Sequence, residues 1–212
     1  MSIRCYIETG AKRAFACCFD WPGWCRSGKD ESLAVESLAA YTTRYAPIAA
    51  KAGYPLPHDV RFEVVERVPG SPTTDFGALS AIAADDRTAM TSHAAERIAD
   101  LVVAVWKQFD AVVAGAPAEL RKGPRGGGRD RDKIAAHVLA AETMYARKVG
   151  VHHREPAVDD REAVEELRAA ILESLRSPES IVPPSGWPAA YAARRIAWHV
   201  LDHAWEIEDR SP

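Results

Sequence analysis

The sequence changes character near residue 85, and that switch limits the folds open to the chain. Before it, short β-prone runs alternate with turn residues. After it, every long patterned stretch has helical spacing. IRCYI (Ile3 to Ile7) and AFACCF (Ala14 to Phe19) flank ETGAKR, whose Gly10 suits a hairpin connection. WPGWCRSGKDES follows and reads as a loop because it gathers Pro22, Gly23 and Gly28. From Asp30 the spacing predicts a helix, with Leu33, Ser37, Ala40 and Tyr41 along one stripe and Asp30 or Ser32 as N-cap. Pro47 is expected to bend or end it. RFEVVERV (Arg61 to Val68) completes the half as a strand with Phe62, Val64 and Val68 on one face. Residues 1–70 therefore read as β-β-α-β, a small α+β domain, and residues 71–84, with Pro72 and Gly77, as a linker.

Residues 85–212 carry four amphipathic segments and no good strand candidate. The first runs from about Asp85 to Ala114, with Ile98, Leu101, Val102, Val105 and Phe109 as its apolar stripe. The second runs from about Asp130 to Val149 and opens on acidic residues that suit the helix dipole. The third spans Asp159 to Arg176, with Val164, Leu167, Ile171, Leu172 and Leu175 apolar. The fourth spans Trp187 to Asp209, with Pro188 in its first turn. Four helices with one apolar stripe each predict an all-α four-helix bundle.

Within the fourth segment, His199 and His203 are four residues apart, so a helix brings both to one face, one turn apart. Two imidazoles so placed can converge on one divalent ion, and neutral imidazole suits zinc, nickel, iron or copper. Glu206 follows on the same face. It is a candidate catalytic base, a fourth ligand or a partner that orients a histidine. The H-E-x-x-H pattern of metalloproteases is absent, since Val200, Leu201 and Asp202 separate the pair. His137 lies mid-way along the second segment among small residues, where another helix can approach closely.

Two resemblances extend these readings. HVLAAETMYARKVG (from His137) and RIAWHVLDHAWEIEDR (from Arg195) resemble the DinB-like superfamily of four-helix metal-binding proteins over about residues 88 to 210. The resemblance implies a divalent metal, zinc first and nickel or iron next, held by His137, His199 and His203. It also implies a metal-dependent hydrolase or a thiol-dependent transferase acting on a small molecule. YIETGAKRAFACCFDWPGWCRSGKDESLAVESLAAY resembles the HicB-like antitoxin fold, a partial ribonuclease-H-like unit. That implies, as the alternative, a non-enzymatic interaction or regulatory protein with a structural metal. Trp21 and Trp24 around the P-G turn depart from that pattern, and no DNA-binding tail is evident.

Three protein ligands leave a fourth position open, which is the arrangement of a reactive site rather than a structural one. RKGPRGGGRDRDK (Arg121 to Lys133) is not a P-loop. It reads as a flexible connection from which Arg125, Arg129 or Arg131 could reach an anionic substrate group, and Arg195, four residues before His199, is placed to do the same. Trp198 and Trp205 share a different stripe and are expected in the core.

A formal charge of −3 argues against nucleic acid as a partner. No apolar run reaches the roughly 20 residues that span a bilayer, and MSIRCYIETGAKR has no apolar signal core, so the expectation is a soluble cytoplasmic protein, with a homodimer within reach of such bundles. The cysteines, Cys5, Cys17, Cys18 and Cys25, form no C-x-x-C pair and are read as small buried strand residues without a disulfide.

Overall fold

The apolar runs of the first 20 residues pair as antiparallel strands, β1 (Ser2–Thr9) and β2 (Ala14–Cys18), joined by the turn around Gly10. A computed structural model describes residues 2–123, 127–177 and 185–212. All five residues of β2 are buried, which requires cover on both faces of the sheet. Cys17 and Cys18 accordingly point into different clusters: Cys17 with Tyr6, Phe15 and Trp198, and Cys18 with Ile3, Ile7 and Trp24.

A third strand, β3 (Cys25–Gly28), lies where the sequence reads as a loop. CRSG offers little apolar signal, yet it pairs antiparallel with β2, with Cys25 opposite Cys17 and Gly28 opposite Ala14. The P-G turn is thus a hairpin. Gly23 has φ +89°, and a Cβ there would stand 2.7 Å from Leu201 Cδ1, so only glycine lets the turn approach the last helix. The expectation of free cysteines is corrected for one pair: Cys17 and Cys25, facing each other across β2 and β3, form a disulfide, while Cys5 and Cys18 are free and buried. Spacing gave no sign of it, because the pairing depends on a strand that was not legible.

Asp30 is the N-cap, its side chain accepting from Leu33 N at 2.9 Å. The helix it starts breaks at Tyr41 rather than at Pro47, giving α1 (Glu31–Ala40) and α2 (Thr42–Lys51) with Pro47 inside α2. Tyr41 leaves the helical region (φ −89°, ψ 3°), and its ring packs edge-on against Trp205. β4 (Arg61–Pro69) then returns parallel to β1, so the sheet is mixed, four-stranded and ordered β3-β2-β1-β4. The N-terminal half is β-β-β-α-α-β rather than β-β-α-β.

Residues 71–84 include a short helix, α3 (Pro72–Phe76), and pack against the sheet. The fully buried Glu8 carboxylate accepts from Thr74 Oγ1, Ser80 Oγ and the backbone of Ser80 and Ala81. That many donors satisfy a buried carboxylate and pin the segment to β1. A single 3-10 turn covers Asp85–Arg87, and the first long helix begins later than expected, at Ser92, because Thr91 caps it through Ala94 N.

Four long helices follow: α4 (Ser92–Gly115), α5 (Arg131–Lys148), α6 (Arg161–Arg176) and α7 (Ala189–Arg210). The stripe residues Ile98, Leu101, Val102, Val105 and Phe109 of α4 are buried, as are Leu167, Ile171 and Leu175 of α6. One hydrophobic cluster runs from Ile3, Ile7 and Trp24 through Tyr45 and Ile48 to Val102, Ile134, Leu167 and Ile196. The sheet and the helices therefore share a core. α7 is the element common to both: Trp198 packs edge-on against Phe15 of β2, and Arg26 of β3 pairs with Asp202 at 2.9 Å. Among the described residues no helix is long and apolar enough to cross a membrane.

Candidate metal centre

The i, i+4 rule places Tyr191, Arg195, His199 and His203 in one ladder along α7. The facing element is α5, and His137 stands opposite the ladder. The imidazole of His137 lies 5.1 Å from His199 and 5.0 Å from His203 between ring centroids, and His199 and His203 are 4.7 Å apart. One nitrogen from each of these three residues falls within 4.8 Å of the others. His199 is buried and the other two are half-buried, so the cluster opens toward solvent on the side of His137 and His203. His93, His152 and His58 are exposed and stand outside the cluster.

Each histidine is prepared differently. Burial, and then the neighbouring His203, Arg195, His137 and Arg129, push the His199 pKa down to about 2. The same effects, burial first and then His203 and Arg129, lower that of His137. Both are neutral at pH 7 and carry a free lone pair, the form that binds a metal. His203 is held by a different device. Its Nδ1 lies 2.8 Å from Glu206 Oε2, and an ionised carboxylate only accepts, so the proton sits on Nδ1 and Nε2 is left as the donor atom. Arg210 donates to the other oxygen, Oε1, at 2.6 Å. The hydrogen bond from His203, helped by Arg210, lowers the Glu206 pKa and keeps it a carboxylate.

Glu206 was a candidate for catalytic base, fourth ligand or orienting partner. Both its oxygens are engaged by His203 and Arg210, and its carboxylate is not among the clustered donor atoms. The geometry is that of a carboxylate–histidine pair, which fixes the orientation of the ring.

Of the arginines expected to serve a substrate, Arg195 is buried and adjacent to the site. Its guanidinium carbon stands 5.1 Å from the Tyr145 ring centre, and that ring is 5.7 Å from His199. Arg129 is exposed, and its charge reaches both His137 and His199. Arg131 is turned away, bonded to Asp132 and to the Ala116 carbonyl. Arg125 lies outside the described residues. The segment leading into α5 is tied to the end of α7: Arg121 N bonds to the Arg210 carbonyl, and Arg210 Nε to that of Arg121. Gly128 (φ +118°) lies so close that a Cβ would stand 2.7 Å from Arg210 Nη2.

Sequence reasoning missed the aromatic wall of the site. Tyr145 and Trp187 are 5.1 Å apart, as are Trp187 and Tyr191. The signal was present: Tyr145 follows His137 by eight residues and Tyr191 precedes His199 by eight, close to the same helical face. Trp198 and Trp205 are buried in the core as expected.

The donor set fits a divalent ion of the imidazole-binding kind. Zinc–nitrogen bonds are roughly 2.0–2.1 Å, so the three nitrogens, within 4.8 Å of one another, would draw inward to share one ion. His199 Nδ1 is buried with no hydrogen-bond partner, an orphan that calls for an explanation. Compared with family models, curated proteins and solved structures, the chain matches none.

Proposed function

We propose that His137, His199 and His203 hold one divalent metal, zinc first and nickel or iron next, at a reactive site for a small molecule. The observation that carries this reading is the convergence of three imidazoles from α5 and α7, with no carboxylate of the described residues among them. Three ligands and an open position are the pattern of catalytic sites, whereas structural zinc sites are closed by four. The engagement of Glu206 by His203 and Arg210 supports the reactive reading over a structural metal, which would need that carboxylate or another donor as fourth ligand.

Bound there, such an ion supplies Lewis acidity, polarising a substrate oxygen or lowering the pKa of a water or thiol. The chain's own residues do the rest. Glu206 fixes the His203 tautomer, and burial keeps His199 neutral. The cations Arg195 and Arg129 set a positive field around the opening. Hydrolysis and thiol-linked transfer are the reaction classes this arrangement serves. The four helices α4 to α7, read as a DinB-like bundle, and the sheet half, read as a HicB-like docking module, are consistent with that assignment.

Elemental analysis of protein purified without an affinity tag tests it. One equivalent of divalent metal is expected in the native chain and much less than that in His199→Ala. Equal metal in the two, with both folded, would refute the site.

A further inference from the structure

Arg194 and Arg195 are consecutive, both on α7 and both buried, at 4% and 8% exposure. Their surroundings differ in kind. Arg194 donates to Asp86, so its charge is compensated inside the fold, although its Nε has no hydrogen-bond partner. Among the described residues no carboxylate pairs with Arg195, and its Nη1 is buried with no hydrogen-bond partner. Among the described residues the rings of Tyr145 and Trp198 lie over its charge, at 5.1 and 4.7 Å, and Tyr191 and His199 also feel it. Cation–π contacts offset part of the cost of taking the charge out of water. They supply no hydrogen-bond acceptor in the guanidinium plane, and the buried Nη1 stays unsatisfied. An anion beside Arg195 would supply both the charge and the acceptor.

We infer that Arg195 is the carboxylate-binding residue of the histidine site, and that its ligand is a small monocarboxylic acid whose apolar body lies on Tyr145 and Trp187. One buried guanidinium compensates one negative charge. A phosphate dianion would bring a second charge with no second buried cation beside it, since Arg129 is exposed. The planar fork of the guanidinium matches the two oxygens of a carboxylate. Tyr145 and Trp187 are half-buried, so they offer ring surface to a ligand, while Tyr191 is buried behind them. With its acid group on Arg195, a ligand is held one ring's width from His199. This inference deepens the proposed metal site, on which it rests for the reacting end of the ligand only. The anion subsite itself is made by Arg195, Tyr145 and Trp187.

Benzoate, its neutral isostere benzamide, and phenyl phosphate are the probes, titrated into the zinc-loaded chain by calorimetry. Benzoate is expected to bind, with benzamide at least roughly tenfold weaker because the charge-assisted pair is lost. Phenyl phosphate is expected to be weaker than benzoate. Arg195→Gln is expected to abolish the preference for benzoate over benzamide, and Arg195→Lys to keep part of it. The same titration on His199→Ala separates the two readings. Loss of metal there with retention of the Arg195-dependent preference supports the subsite whatever becomes of the metal. Undiminished benzoate binding in Arg195→Gln, no benzoate binding to the native chain, or a preference for phenyl phosphate would each overturn the inference. Benzoate against benzamide on the native chain needs no variant to fold.

Discussion

Two polar clusters flank α5, and they are built to opposite rules. On the side of α4 and α6, Glu142 is 1% exposed and accepts from Trp106 Nε1, with Arg168 beside it at 3.5 Å and Arg168 in turn on Asp110 at 2.8 Å. These charges are closed in a chain, at the edge of a cavity lined by Val113, Val138, Leu139 and Val164. On the side of α7, His137 meets two more imidazoles, and His199 and the nearby Arg195 each keep a buried nitrogen without a hydrogen-bond partner. The same helix thus carries a satisfied network and an unsatisfied one. Folding alone accounts for the first. The second leaves polar groups buried at a cost of about 1–3 kcal/mol each, which a bound ligand can return.

The largest expected effect lies on the satisfied side. Glu142→Ala strips the buried partner from Trp106 and Arg168 and is expected to cost about 3 kcal/mol, read as a shift in the urea midpoint. Asp86→Ala, which strands the buried Arg194, should cost a similar amount, whereas Arg195→Gln should cost little or nothing. If Arg195→Gln destabilised as much as Asp86→Ala, the contrast between paired and unpaired arginines would fail. Metal comes next: zinc at about a hundredfold over its Kd is expected to stabilise the chain by about 2.7 kcal/mol, and chelation to remove it. Thermal unfolding with and without chelator reads this directly, and no shift would erase the distinction between the two clusters. Glu206→Gln, which weakens the acceptor for His203, is expected to lower metal affinity by about 10- to 100-fold at unchanged fold.

The smallest effect is in pH. Burial outweighs Arg168 and raises the Glu142 pKa. For a raised acid the associated stability is full below the ordinary glutamate pKa and is lost as pH rises through the raised value. Wild type minus Glu142→Gln should therefore fall between acid and neutral pH, and a flat difference would show that Glu142 titrates normally.

How much of this was legible in the sequence differs between the halves. The helical stripes of α4 and α6 could be read because 3.6-residue periodicity over 16 to 24 residues is a strong signal. The histidine pair could be read because α7 is a regular helix, so spacing fixes direction. β3 could not, since CRSG acquires its strand character from pairing with β2 rather than from its own side chains, and the Cys17–Cys25 disulfide was hidden with it. The break at Tyr41 depends on a tertiary contact with Trp205 and has no local mark. The uncompensated charge of Arg195 was also out of reach, because sequence shows which residues are charged and not which remain without partners.

Cobalt substitution tests the central claim most directly. Titrated into metal-free protein, Co²⁺ is expected to give visible ligand-field bands that saturate at one equivalent, change when a small thiol such as mercaptoethanol is added, and vanish in His137→Ala and His199→Ala. Absence of the bands in the native chain would contradict the three-histidine site, and bands indifferent to added thiol would contradict its open position.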